Sequence, residues 1–484
     1  MNHAAEQAGQ SYVASNAGSH SSINETFAGP AGSDGADHGL DQINAARTLL
    51  QCDVLIVGGG PAGSTVATLL ARKGHQVTVV EKATHPRFHI GESLLPANLP
   101  LFEALGVADE VRAIGMKKPG AEFVSPWHEH KQTFNFCDAW DKSMPSAYQV
   151  RRAPFDEILF RNAAKAGATT LEACRIHTID FLGGDAGARV TGKRDDGTEV
   201  IWQTRFLVDA SGRDTLLGNR FKAKVKNPRH ASSAIYGHFR DAQRNEGEAA
   251  GNITVFWFEH GWFWFIPLAD GTTSVGAVVW PYYLKSRTKP LNEFLRDTIA
   301  MCPALSLRLA HAEQVADTEA TGNFAYVCDH LRGPNYLMIG DAYTFIDPVF
   351  SSGVMLAMNG AFAAAEAIDA WLVDPARSKP AFRRFDKVMR HGPRHFSWFI
   401  YRVTNPTMRD LFMGPRNFLR MKEALLSVLA GDIFGRTPIW ASVLAFKSMY
   451  YVLSALNLGR TLEAARRRRV NIRSVDAAIP QRGE

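Results

Sequence analysis

Residues 53–81 constrain the fold more than any other part of the chain. Asp53-Val54-Leu55-Ile56-Val57 is a continuous apolar run that stops at Gly58, the pattern of a strand buried on both faces. The glycine-rich stretch Gly58-Gly59-Gly60-Pro61-Ala62-Gly63-Ser64 then turns the chain into a helix over Thr65 to Lys73, which Gly74 ends. Gln76-Val77-Thr78-Val79-Val80 returns as a second strand and finishes in Glu81. Strand, helix and strand in this order make a βαβ unit, and such a unit commits the chain to a parallel sheet with helices on its faces.

Gly58, Gly60 and Gly63 form G-x-G-x-x-G at the junction of the first strand and the helix. Glycines at these places permit the tight turn, the close approach of backbone to a pyrophosphate and helix–strand packing. Pro61 and Ala62 lie within this loop. Glu81 is placed to accept hydrogen bonds from adenosine ribose hydroxyls, and Lys82 follows it. This unit alone does not distinguish FAD from NAD. Further segments favour FAD. Arg152, with Phe155 and Asp156, opens a helix where the guanidinium reaches a phosphate. Val208-Asp209-Ala210-Ser211-Gly212-Arg213 ends a strand with an acid and a small turn. Gly340-Asp341 ends another strand, with the carboxylate placed for a ribityl hydroxyl. Beyond it, a loop of small residues runs through Pro348, Ser351, Ser352 and Gly353 to a helix opening at Val354. The unpaired N–H groups of such a helix start suit an anion, so the Ser352 and Gly353 amides are candidates to hold a halide beside a flavin ring.

The expected fold is α/β, a Rossmann-like FAD-binding domain with an inserted antiparallel substrate-side sheet and a C-terminal helical region. The FAD-binding part is discontinuous, 47–124, 151–225 and 325–375. The substrate-side sheet takes 125–150 and 226–324, and 376–484 is helical with a basic tail. Residues 1–46 hold five acids and no Lys or Arg, are rich in Ala, Gly, Ser, Asn and His, and are expected to be disordered. The last 25 residues hold seven Arg against three acids. Arg466 to Arg469 read as a solvated helix end, with an anionic partner as the alternative. Ile439 to Leu458 is apolar enough to suggest a membrane span, but Lys447 near its middle opposes that, and a buried helix is expected. Interfacial membrane attachment is the lesser alternative. Five scattered cysteines show neither metal nor disulfide spacing, and the N-terminus shows no secretory pattern, which points to a reducing cytoplasm. No nucleic-acid module is apparent.

In this order the nucleotide segments resemble the flavoprotein monooxygenase superfamily of the para-hydroxybenzoate hydroxylase type. Three stretches narrow the resemblance to the flavin-dependent halogenases. Phe88-His89-Ile90-Gly91-Glu92-Ser93-Leu94-Leu95-Pro96 is similar to the segment after their second strand. Trp262-Phe263-Trp264-Phe265-Ile266-Pro267 matches W-x-W-x-I-P, and Phe345, Pro348, Ser351 and Gly353 match F-x-x-P-x-x-S-x-G. The resemblance covers about residues 50–435, and Leu429-Ala430-Gly431-Asp432 looks like the phenol and pyrrole members.

The resemblance implies reduced FAD and dioxygen as oxidant, and a halide, chloride or bromide, held at Ser352 and Gly353. Hypohalous acid would then be relayed to a lysine placed here at Lys118, with Lys117 one residue away. Ser93 and Pro348 are implied on the cofactor side, and Trp262 and Trp264 as a barrier between the organic substrate and the flavin. The base that takes the ring proton is left between Glu122 and Glu92. Tryptophan-specific members carry an acid soon after the Ser-x-Gly loop, whereas Val354-Met355-Leu356-Ala357-Met358 has none, which favours a phenol or pyrrole, free or tethered to an acyl carrier protein. No second dinucleotide unit is visible, so a separate flavin reductase is expected. The alternatives are an NADPH-dependent aromatic hydroxylase, a geranylgeranyl-type reductase and a catalytically inactive flavin-binding scaffold.

Overall fold

The computed structural model describes residues 49–183, 186–228, 230–322 and 325–473. The segment expected to be disordered, 1–46, and the last part of the basic tail lie outside the described residues.

The βαβ unit forms as its sequence dictates. Leu49–Val57 runs parallel to Val77–Val80 on one side and to Glu199–Asp209 on the other. Val54, Leu55 and Ile56 are fully buried, because helices cover both faces of this sheet. The helix between the strands starts at Pro61, four residues earlier than expected, since proline is pre-set for a first helical position. Glu199–Asp209 is long enough to serve two partners. Its first half pairs antiparallel with Ala188–Arg194 as a hairpin, and its last three residues pair parallel with Tyr336–Met338. That late strand brings Gly340 and Asp341 beside the glycine-rich loop.

A second, mostly antiparallel sheet has the order Glu313–Gln314, Ser233–Arg240, Thr273–Val279, Gly261–Pro267, Ile253–Phe258, Gly120–Val124, Gln132–Asn135. Alternation assigns its faces. Trp257, Trp262, Trp264 and Ile266 pack toward the C-terminal helices, while Phe256, Phe258, Phe263 and Phe265 pack against Leu291–Ala300 on the other side. Gly120–Val124 corrects the expected boundary. Expected within 47–124 of the cofactor part, it pairs parallel with Ile253–Phe258 and so belongs to the second sheet.

The long helix Gly353–Val373 packs against Pro61–Arg72 and Lys379–Ile400. It is long and apolar enough to cross a membrane by length and composition, yet its alanines serve close helix packing in the core. The apolar stretch near 439–458 forms the helix Trp440–Leu456, but it is not the buried helix expected. Ser442, Val443, Phe446, Tyr450 and Ser454 are buried, and Ala445, Met449 and Leu453 pack partly against the core. Leu444, Tyr451, Val452 and Leu456 are exposed, because one side of this outermost helix has no layer above it among the described residues.

Candidate active site

A cavity of about 780 Å³ runs from the glycine-rich loop to the start of the long helix. That volume lies within the range of cofactor and ligand sites. Gly58, Gly60, Pro61, Ala62, Glu81, Lys82, Ser93, Arg152, Trp262, Trp264, Gly340, Asp341, Pro348, Ser352 and Gly353 all line it. The sequence thus selected residues from segments up to 295 positions apart (Gly58 to Gly353) that fold onto one wall system.

At the glycine end, Gly58 has φ +108°, and a Cβ there would sit 2.3 Å from Ala210 O. Gly63 does not face the cavity. A Cβ on it would lie 1.9 Å from Gly58 O, so its function is to let the helix close onto the loop. No side chain caps that helix, which leaves its first-turn N–H groups to an outside acceptor. Glu81 accepts from the Gly59 N–H at 2.8 Å and the Ala83 N–H at 3.1 Å, which fixes its carboxylate at the rim.

Two arginines converge on one buried carboxylate beside the cavity. Arg152 donates to both oxygens of Asp156, at 2.8 and 3.0 Å, and to Ile90 O at 2.9 Å. Arg87 donates to the same Asp156 at 3.3 Å and to Glu81 at 3.4 Å, and its buried Nε has no partner among the described residues. Arg87 and Arg213, which also lines the cavity, were missed by sequence reasoning. A usable signal for Arg87 was its place just before the Phe88–Pro96 segment. In the same wall His89 is held neutral, with its pKa lowered to about 4 by burial and then by Arg152. The Asp341 carboxyl is raised to about 6 by burial, and its carboxylate makes no hydrogen bond among the described residues.

Asp209 departs from expectation. It is buried, and its oxygens accept from the Ser211 N–H at 3.0 Å and the Leu217 N–H at 2.7 Å. It folds the 210–217 turn rather than facing the cavity.

Apolar bulk lines the other end of the cavity. The Trp262 and Trp264 ring centroids lie 6.3 Å apart, and Trp264 Nε1 donates to Ser274 Oγ at 3.1 Å. Ser352 and Gly353 begin the long helix with no side-chain cap, and a Cβ on Gly353 would meet no atom within 4 Å. Lys118 is not part of the wall but lies behind it. Its Nζ is buried and donates to Ser93 Oγ at 2.8 Å and Leu94 O at 2.9 Å, with the Phe136 ring 5.4 Å away. Burial lowers its pKa to about 7. Lys117 points the opposite way along the same strand and is exposed.

Of the two carboxylates considered as base, Glu122 is committed to Arg308 at 2.6 Å, Lys131 at 2.9 Å and Thr254 at 3.2 Å, and does not line the cavity. Glu92 does line it. One oxygen accepts from His238 at 2.9 Å, and the other is buried without a partner among the described residues.

Paired arginines and open amides at one end, an open carboxylate midway and indoles at the other form a cradle whose donors and acceptors fit FAD. Similarity to known proteins agrees with this. Residues 51–379 match the FAD-binding-domain family. A tryptophan 2-halogenase of Chondromyces crocatus is 37% identical over 342 residues, 68% of this chain and 64% of that protein, so this chain spans less than two thirds of that relative's length. A 1H-pyrrole-2-carbonyl-[peptidyl-carrier protein] chlorinase of Pseudomonas fluorescens is 29% identical, over 79% of this chain and 89% of that protein. The solved structure of a myxobacterial chondrochloren halogenase, an FAD-dependent enzyme, superposes with a TM-score of 0.70 at 32% identity, covering 81% of this chain and 93% of that one.

Proposed function

Because this chain belongs to the flavin-dependent halogenase family, we propose that it installs chlorine or bromine on an electron-rich aromatic ring, a phenol or pyrrole, free or tethered to a carrier protein. The observation that carries this reading is Lys118, a buried amine with no carboxylate partner among the described residues, joined to the cavity through the Ser93 hydroxyl. When bound in its reduced form, FAD would supply, with dioxygen, the two-electron oxidation of the halide to hypohalous acid.

The chain's own residues account for the remainder. The Ser352 and Gly353 amides present N–H groups to a halide at the cavity end. The Ser93 hydroxyl, which accepts from Lys118, keeps its own proton free to donate to an oxygen in the cavity. With a pKa near 7, a substantial share of Lys118 is neutral amine at neutral pH. The amine attacks the halogen of hypohalous acid, an N–X bond forms, the O–X bond breaks and water leaves. The ring then attacks that halogen, the N–X bond breaks, and the ring proton returns to the nitrogen. Glu92, with its unpartnered oxygen, is placed to carry that proton. Trp262 and Trp264 stand between the cavity and the side of the sheet covered by C-terminal helices, so their bulk separates the organic acceptor from the cofactor.

The carrier-bound pyrrole named for the Pseudomonas relative supports a tethered acceptor. A second reading, an indole acceptor, has the Chondromyces relative in its favour and the absence of an acid in Val354–Met358 against it. A separate reductase is proposed to deliver reduced FAD, and the free thiols suit a reducing cytoplasm as the place of action. The test is product formation with reduced FAD, each halide, and a panel of free and carrier-bound phenols and pyrroles plus tryptophan. Wild type should halogenate, and Lys118→Ala should consume oxygen without halogenating. Equal product from both proteins would remove Lys118 from the reaction. Rapid NADPH oxidation by the pure protein would point to a hydroxylase instead.

A further inference from the structure

We propose that Arg468, on the C-terminal helix Leu458–Arg473, is a positioning residue for halide binding: acting through His230, it offsets the Asp347 carboxylate beside the Ser352–Gly353 amides. This rests on the reading of those amides as the halide site.

Asp347 lines the same cavity as Ser352 and Gly353 and is 4% exposed. One of its oxygens accepts from the Val349 N–H at 3.1 Å and so caps the helical turn Pro348–Phe350 that leads into Ser351. The other accepts from His230 Nε2 at 2.7 Å and Ser232 Oγ at 2.8 Å. With Nε2 donating, His230 is left with Nδ1 as acceptor, and Arg468 Nη2 faces that atom at 3.4 Å. Tyr401 stacks on His230 at 5.3 Å, and the Arg468 guanidinium lies 5.8 Å from the same Tyr401 ring. Arg468 is thus turned inward from the arginine run that was expected to be a solvated helix end. Burial lowers its pKa to about 10, as does the nearby Arg402, while Tyr401, Tyr450 and Asp347 act against the shift.

The physical reason is electrostatic. A carboxylate in the wall of an anion site repels the anion, and more strongly when the wall is apolar. The imidazole of His230 orients that carboxylate through Nε2 while its Nδ1 faces the guanidinium. The guanidinium beyond the imidazole supplies the missing positive charge, and His230 carries its influence into the wall. The tail helix is therefore coupled to halide affinity although it does not line the cavity.

The experiment uses the full-length, FAD-loaded protein and follows the bromide-dependent rise in melting temperature, with the bromide KM measured alongside. Arg468→Gln should weaken bromide binding about tenfold while FAD affinity holds, and Arg466→Gln should change neither. Adding Asp347→Asn to Arg468→Gln should restore bromide binding, because the charge to be offset is gone. Unchanged bromide binding in Arg468→Gln would overturn the proposal, and so would a loss that Asp347→Asn fails to restore, since Arg468 would then only support the fold. Gly353→Leu separates the two readings. A bromide response that survives Gly353→Leu removes the halide site itself. A response lost there but intact in Arg468→Gln removes only the Arg468 link.

Discussion

Ser93 Oγ lies 2.8 Å from Lys118 Nζ, and Ser93 lines the cofactor cavity while Lys118 does not. One hydroxyl is the polar link between the cavity and the buried amine. Ser93→Ala should therefore leave FAD binding intact and cut halogenated product per oxygen consumed by about tenfold, the loss of one charge-assisted contact. Product and oxygen are measured in the same reaction.

Lys118 also leaves a signature in stability. Its native pKa is lowered to about 7, so between pH 7 and its ordinary value of 10.5 the unfolded chain binds more protons than the folded one. Stability contributed by this group rises with pH across that window, and the cost of burying it is greatest below pH 7. Lys118→Met should raise the melting temperature at pH 7 by about 5 °C, and the gain should shrink toward pH 10. In wild type, halogenation per oxygen consumed should rise through about pH 7 as the amine is deprotonated.

Asp341 gives a second pH test. Its carboxyl is raised to about 6, and the contact proposed for it, accepting from a cofactor hydroxyl, calls for the ionised form. Protons compete with the cofactor below that pH. FAD affinity, read by fluorescence titration, should fall as pH drops below about 6, and this dependence should be absent in Asp341→Asn.

Arg87 shares Asp156 with Arg152, and its Nε at the cavity wall has no partner among the described residues. Arg87→Ala should weaken FAD binding about tenfold, and Arg87→Lys should recover part of the loss because it restores charge but not the planar fork.

Gly276 pairs across the sheet with Trp264, and a Cβ on it would come within 2.2 Å of the indole. Gly276→Ala forces that ring toward the cavity. Overpacking of this kind should lower the melting temperature by roughly 2–6 °C and weaken FAD binding, both measurable on the purified protein.

Local pattern carried the cofactor cradle from sequence to structure. Gly58, Gly340 and Gly353 are legible because a missing side chain leaves a trace in the sequence, and Trp262 and Trp264 because alternation assigns them to one face. Charge partners were harder to foresee. Glu122 and Glu92 are alike in sequence, yet Arg308, from 186 residues further on, claims the first, and only the second reaches the cavity. Asp209 has the position of a ligand-binding acid but turns back onto its own loop. Arg468 could not be told from Arg466 or Arg467 without the helix phase that turns one of them toward Tyr401. The outer face of Trp440–Leu456 was misjudged because composition reports how apolar a helix is, and only packing decides how much of it is covered.

The parallel strand Tyr336–Met338 has a consequence for biosynthesis. It completes the first sheet and delivers Gly340 to Gly353, so the wall opposite the glycine-rich loop does not exist until that part of the chain has left the ribosome. At common elongation rates the interval between Val57 and Gly353 is roughly 15–60 s. Until Tyr336 to Met338 emerge, Leu207 to Asp209 form a strand edge with no finished neighbour on that side, and a nascent chain stalled before residue 353 has nothing to close around a flavin. Holding that edge apart from other chains is a task for chaperones rather than for the cofactor.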